Sequence, residues 1–429
     1  MIAYRDPGQS PVSERLRVLM LMAAIPYPPI WGSGQRNYEL LRYLSRHHDI
    51  TLLTYQTSTD PDAVDVLSRS ARVIYVPAPP DDDVAKRRRQ LGSLASPHSF
   101  HAGSLYSPAL QRALDRALAD EPYDVIQIAQ SRLSRLRIDA GAALVVLDEH
   151  NIEFETLQRS AAVERSPARK LYYYGEYLKH RAEEIAAWRA AAGCTVTSVR
   201  EEQILHAHVP EKPTAVVMNS VDTGYFRPSG AQTDPDELVF TGLMRYRPNV
   251  DAVCHFVRST LPLIQRVRPN TRLTIVGAGP SPEVLRLAGP DVRVTGSVPD
   301  VRPFLARAAV VVVPIRAGGG TRFKIAEGLA MGKAVVSTTI GAEGIGVRHG
   351  EHLLLADDPA AFAEEVVRAL EDRTLAQLLG AAGRRFAERH LSWDAAGGRL
   401  HSFYGELRRG RITASHPPLS VAVGDTSRR

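Results

Sequence analysis

The stretch VVVVPIRAGGGTRFKIAEGLAMGKAVVSTTIGAE (310–343) contains the residue types that hold a phosphate and a sugar. A β-branched run, 310–313, predicts one strand buried on both faces, ended by Pro314. Gly318, Gly319 and Gly320 then remove every Cβ that would keep a phosphate from the backbone. Thr321 is an acceptable N-cap for a helix that runs to Gly332. Strand, glycine loop and helix together offer free N–H groups and a positive dipole end to an anion. Lys324 and Glu327 are three residues apart and share a helix face. The lysine can neutralise phosphate, and the carboxylate can accept hydrogen bonds from two neighbouring sugar hydroxyls. The plainer reading is a loop with a surface ion pair worth about 0.2–0.5 kcal/mol.

Other segments place chemistry at strand ends. Gly32, Ser33 and Gly34 precede a helix with Leu40, Leu41 and Leu44 on its inner side, so their N–H groups can meet a diphosphate. This is not a dinucleotide fingerprint, because Asn37 holds the third glycine position; VGAGPSP (276–282) fails likewise at Pro282. Both failures argue against a nicotinamide-dependent oxidoreductase. Asp148, Glu149 and His150 follow a buried strand and are expected at its carboxyl end. Arg245 and Arg247 follow Gly242, and arginine binds phosphate bidentately. Two basic stretches remain: Lys86 to Arg89 in a polar segment (77–107), read as a solvated loop, and Arg132, Arg135 and Arg137 after another strand. The tyrosines at 172, 173, 174 and 177 are read as helix packing.

Strand-like and helix-like patterns alternate along the chain, which predicts parallel sheets with helical crossovers. The 429 residues suggest two or three domains, with 44% apolar and 23% charged residues, ordinary for a globular protein. Residues 16–219 read as one α/β domain and 220–390 as a second. A final helix, 391–411, follows, and 1–15 and 412–429 read as disordered tails. Two such domains facing a cleft bind ligands at the carboxyl ends of their sheets. The net charge is +6. Through Ser220 there are 26 Lys+Arg against 26 Asp+Glu, and beyond it 27 against 21. A mildly basic second half suits a phosphate-bearing ligand but not a nucleic acid. No membrane span or secretory leader is visible, and two distant cysteines suit neither a disulfide framework nor zinc. The expected compartment is the cytoplasm.

The segment 310–343 resembles the donor-binding signature of the retaining family-four glycosyltransferases, a bacterial group-1 type. MNSVDTGYFRP (218–228), FTGLMRYRPNVDA (240–252), VGAGP (276–280), TGSVPDV (295–301) and LSWDAAGG (391–398) match the same family in the same order, over about 17–409. The resemblance implies the GT-B fold, two Rossmann-like domains, with the last helix crossing back to the first. It implies a sugar moved from a nucleotide-diphosphate-sugar donor to an acceptor hydroxyl with retained configuration, in cell-surface polysaccharide or lipid-linked glycan synthesis. His150 matches the histidine near the transferred sugar; Asp148 could orient its imidazole or contact the acceptor, and Glu149 falls on the acceptor side. Glu327 matches the second of a glutamate pair and holds the ribose; the first falls on Gly319. Gly296 and Val298 lie where relatives meet the base through main chain. Gly242, Gly277, Gly318 to Thr321 and Arg322 complete the donor side.

Many relatives carry arginine directly after the first glycine and lysine some five residues on. This chain has Leu243 and Pro248-Asn249, so the diphosphate falls to Arg245, Arg247, Arg322 or Lys324. No metal or other cofactor is expected. Basic loops of the first domain can rest weakly on anionic membrane. Open alternatives are a secondary-metabolite glycosyltransferase, a nucleotide-sugar epimerase of the same fold, and a catalytically silent nucleotide-sugar binding protein. A phosphorylase is disfavoured, because no lysine environment for a pyridoxal Schiff base is evident.

Overall fold

A computed structural model describes residues 14–29, 32–57, 62–80, 82–164, 166–317 and 323–410. The chain forms two units, Met1–Val217 with Gly397–Arg429, and Met218–Ala396.

The first unit is built on a seven-stranded sheet. Its strands are β1 (Arg17–Met22), β2 (Asp49–Gln56), β3 (Arg72–Pro77), β4 (Val125–Ala129), β5 (Leu144–Asp148), β6 (Gly193–Val196) and β7 (Thr214–Val216). All pair in parallel, in the order β3-β2-β1-β4-β5-β6-β7. Apolar runs such as RVLMLM are buried on both faces because helices cover both. Leu19, Leu21, Ile126, Ile128, Leu147 and Trp188 share the core. Strand order reverses between β1 and β4, so ligands are expected at the carboxyl ends there.

The second unit repeats this design with six parallel strands. These are β8 (Asp234–Thr241), β9 (Arg272–Val276), β10 (Val292–Val294), β11 (Ala308–Val313), β12 (Ala334–Ser337) and β13 (Leu354–Leu355). Their order is β10-β9-β8-β11-β12-β13, reversing between β8 and β11. The glycine stretch follows β11 and therefore lies in sequence at this reversal. Gly318, Gly319, Gly320, Thr321 and Arg322 themselves are outside the described residues.

The last helix, Trp393–Gly410, ends on the first unit. Phe403 and Leu407 press on Gly193, where a Cβ would stand 2.8 Å from Phe403 Cζ. The buried Tyr404 hydroxyl donates to Gln127 Oε1. One expectation changes. The polar segment 77–107 holds helices Asp83–Leu94 and Phe100–Leu105, capped by the side chains of Asp82 and Ser99. The Lys86 to Arg89 run is thus helical rather than a loop, because the acidic run before it supplies an N-cap. The expected tails lie outside the described residues except Glu14 and Arg15, and Arg15 donates to Asp49 at 2.6 Å.

Tyr404→Phe strands the Gln127 acceptor. It is expected to cost about 1–3 kcal/mol in chemical denaturation, with the secondary structure retained.

Candidate functional site

In the second unit, three strand ends are laced together through glycines. The Gly242 N–H donates to Val276 O at 3.0 Å, and the Gly277 N–H to Gly296 O at 3.1 Å. Gly277 has φ +154°, and a Cβ there would stand 1.7 Å from Gly242 O. Gly242, at φ +151°, faces Asn249 Nδ2 and Lys324 Nζ, which would lie 2.8 and 3.2 Å from its Cβ. Only glycine permits backbone and ammonium to approach this closely.

Lys324 and Glu327 ride on helix Phe323–Ala330, whose Ile325, Ala326, Leu329 and Ala330 are buried. Lys324 Nζ donates to Asn249 Oδ1 at 2.9 Å and stands 4.8 Å from the Phe240 ring centre. Asn249 in turn donates to Leu243 O at 2.9 Å. Asn249, a departure from the family pattern, thus sets the position of the lysine. Glu327 accepts from Thr241 Oγ1 at 3.5 Å. Burial raises its carboxyl, and Lys324 opposes that rise. A cation and a carboxylate therefore stand together at the end of β8 and the start of one helix. Arg245 and Arg247 are exposed, and the Arg245 chain runs beside Gly279. Gly296 has φ +72°, and Val298 is half-buried two residues on. Arg384, which the sequence did not reveal, caps the far end of the helix: Nη1 donates to Ala330 O and Phe226 O, both at 2.6 Å.

In the first unit, Gly32, Ser33 and Gly34 form the first turn of helix Gly32–Leu44 rather than a loop before it. Leu40, Leu41 and Leu44 are fully buried beneath this helix. Its fully buried Arg36, also unforeseen, grips Asp148 with Nη2–Oδ1 at 2.6 Å and Nε–Oδ2 at 3.1 Å, and donates to Val217 O at 2.6 Å. Thr195 Oγ1 donates to Asp148 Oδ1 at 2.6 Å. Burial alone would raise the Asp148 carboxyl; Arg36, then His150, holds it well below the usual range. His150 Nε2 lies 3.2 Å from Asp148 Oδ2, while its buried Nδ1 has no partner among the described residues. Asp148 thus orients the imidazole and leaves one ring nitrogen for a ligand.

Asp148 and Glu149, expected on the acceptor side, are both wholly buried and held by protein groups. Glu149 accepts from Trp188 Nε1 at 2.8 Å and from the Ser131 N–H at 3.1 Å. The Glu149 side chain turns from the sheet end toward Trp188. Glu184 lies beside it, accepting from the N–H groups of Glu153 and Phe154 and from Ser131 Oγ. Burial raises both carboxyls, pushing Glu149 up to about 8.

Residues 32–220 match the model of the "Glycosyl transferase 4-like domain", and 235–372 match "Glycosyl transferases group 1". The chain belongs to the group 1 glycosyltransferases. It is 23% identical over 373 residues to an uncharacterized 44.6 kDa protein in the cps region of Klebsiella pneumoniae, covering 82% of this chain and 90% of that one. It is 28% identical over 232 residues to a GDP-mannose-dependent alpha-(1-6)-phosphatidylinositol monomannoside mannosyltransferase of Mycobacterium tuberculosis, covering 48% and 60%. Among solved structures, sucrose-phosphate synthase from Thermosynechococcus elongatus superposes with a TM-score of 0.67 at 18% identity, over 92% of this chain and 100% of that one. The fold is of the GT-B class.

Gly277→Ala forces a methyl onto Gly242 O and is expected to cost about 3 kcal/mol or more. Gly296→Ala, with nothing within 4 Å of its Cβ, meets only the φ penalty of about 1–2 kcal/mol. Denaturant titration of the two variants reads the difference. The raised Glu149 pKa favours the protonated acid in the folded state. That stabilisation is complete below the ordinary carboxylate range and is lost as pH rises through about 8. Glu149→Gln is expected to flatten the fall in melting temperature between the ordinary carboxylate range and about pH 8.

Proposed function

We propose that this glycosyltransferase moves a sugar from a nucleotide-diphosphate-sugar donor, held by the second unit, to an acceptor hydroxyl at the first, with retained anomeric configuration. The observation that carries it is Lys324 Nζ held by Asn249 beside Gly242, with Glu327 one turn along the same helix. In this reading Lys324 and Arg245 stabilise charge on the departing diphosphate, with Arg247 and Arg322 close by in sequence. Glu327 accepts from the ribose hydroxyls. Burial raises its carboxyl, and the nearby ammonium favours the charged form that accepts best. Gly242, Gly277 and Gly296 admit the nucleotide to main-chain contact. His150, oriented by Asp148, offers Nδ1 to the transferred sugar. The acceptor then attacks on the face the diphosphate leaves.

The reading extends to cell-surface or lipid-linked glycans. Support comes from the cps-region relative and from the mannosyltransferase, whose printed activity is on a phosphatidylinositol mannoside. Helix Asp83–Leu94 exposes Val84, Leu91 and Leu94 beside Lys86, Arg87 and Arg88, a composition suited to weak contact with an anionic membrane surface. Among the described residues no helix is long and apolar enough to cross a membrane. We place the enzyme in the cytoplasm, possessing no metal requirement.

The test is incubation with a panel of nucleotide sugars. Slow nucleoside diphosphate release is expected, insensitive to chelator, with α-linked donors giving α-linked products. Lys324→Ala is expected to lower turnover by about 10²-fold or more. Glu327→Ala is expected to weaken nucleotide binding by about ten-fold. Inverted product would overturn retention, isomerised donor would indicate an epimerase, and binding without release would indicate a silent relative.

A further inference from the structure

Three buried nitrogens near the carboxyl end of β4 have no partner among the described residues: Arg132 Nε, His101 Nδ1 and His180 Nε2. They come from the short turn Ser131–Leu133, helix Phe100–Leu105 and helix Pro167–Ala190. The two imidazole rings are 5.6 Å apart. The turn Ser131–Leu133 packs against both helices, and burial, then the charge of Arg132, pushes His101 down to about 4. Arg132 is half-buried and makes no hydrogen bond or ion pair with another described residue.

Two acids lie close by, and Glu183 stands 3.6 Å from His180 Nδ1 and 3.1 Å from His98 Nδ1, but both are engaged by other donors. Glu183 accepts from the Ser99 N–H at 3.0 Å and from Ser99 Oγ at 2.5 Å, and Glu176 accepts from the Phe100 N–H. Ser99 Oγ also meets His180 Nδ1 at 3.1 Å, so the unpartnered Nε2 is the ring's other nitrogen. A guanidinium partly removed from water without a counter-charge is costly, as is a buried nitrogen without a partner. Three such costs, on two helices and the turn that packs against them, are what a bound anion would relieve.

We infer that Arg132, with His101 and His180, forms an oxyanion site in the first unit that takes a phosphate group. Arg132 supplies the charge and the paired N–H donors that match phosphate oxygens. His101 and His180 supply ring nitrogens that can meet the remaining phosphate oxygens. Naming the phosphate as part of an acceptor rests on the proposed function; the site itself does not.

The test follows melting temperature during titration with inorganic phosphate, and separately with glycerol 3-phosphate and glycerol, in the full chain. Lys324→Ala serves as background, so that phosphate bound by the second unit is discounted. A phosphate-dependent rise is expected in this background, with at least about ten-fold weaker dependence after adding Arg132→Met. His101→Gln is expected to weaken it less. Without phosphate, Arg132→Met is expected to leave the melting temperature unchanged or higher, because it removes an uncompensated charge. A stronger response to glycerol 3-phosphate than to inorganic phosphate assigns the site to a phosphate-bearing acceptor; the reverse assigns it to the free anion. An undiminished phosphate response in the Arg132→Met background would overturn the inference. So would a lowered phosphate-free melting temperature, which would make Arg132 structural. Nucleoside diphosphate binding to the wild-type frame with Arg132→Met alone is expected to be unchanged, so failure here is separable from failure of the donor site.

Discussion

Close approach of backbone to backbone at the carboxyl ends of β8, β9 and β10 is the constraint on which the second unit depends. Gly277 leaves no room for a methyl beside Gly242 O, and Gly242 none beside Asn249 and Lys324. The sheet can therefore end with N–H groups and one ammonium close together, where side chains would otherwise intervene. Helix Phe323–Ala330 is fixed from both ends of this arrangement, by the Lys324–Asn249 bond at its start and by Arg384 on its last carbonyl. The chemistry of the site follows from that fixity. A lysine tied to an asparagine side chain loses less freedom on meeting a phosphate than one waving in solvent.

The first unit achieves order by a different means. Its strand end is held by a wholly buried ion pair, Arg36 with Asp148, further bonded by Thr195 and His150. Such a pair contributes little net stability against its desolvation cost, but losing one partner would leave a buried charge. Its effect is to fix the imidazole of His150. Behind it, Glu149 and Glu184 share a buried region through Ser131, and burial keeps both carboxyls inclined to hold protons. One strand end thus carries a firmly ionised acid and, one residue on, an acid that resists ionisation. Asp148 has the Arg36 guanidinium and His150 beside it, whereas Glu149 has only neutral donors from Trp188 and Ser131 and a second carboxyl, Glu184, close by.

The architecture was legible because parallel strands buried on both faces leave long Val, Ile and Leu runs, as in β1 and β11. Glycines at strand ends and the Lys324–Glu327 spacing were legible for the same reason: their periodicity is local. What escaped was non-local. Arg36 sits in an ordinary helical sequence, and nothing near it reveals an aspartate 112 residues away. Arg384 and Asn249 act through carbonyls and a lysine brought close only by the fold. Glu149 was placed on the acceptor side because adjacency to His150 is visible. That successive side chains turn to opposite faces, sending this one to Trp188, depends on the strand's exact end. The helix across 83–94 has a polar composition that hides its period, and only Asp82's capping marks it.

We propose that the second unit, at the ends of β8 to β10 and the start of helix Phe323–Ala330, holds a nucleoside diphosphate. Amide hydrogen exchange with and without uridine or guanosine diphosphate reads this out. Slowed exchange is predicted in peptides covering 241–249, 276–280, 295–298 and 323–330, with 146–150 unchanged. Protection confined to the first unit, or absent from 323–330 at saturating ligand, would place the nucleotide elsewhere.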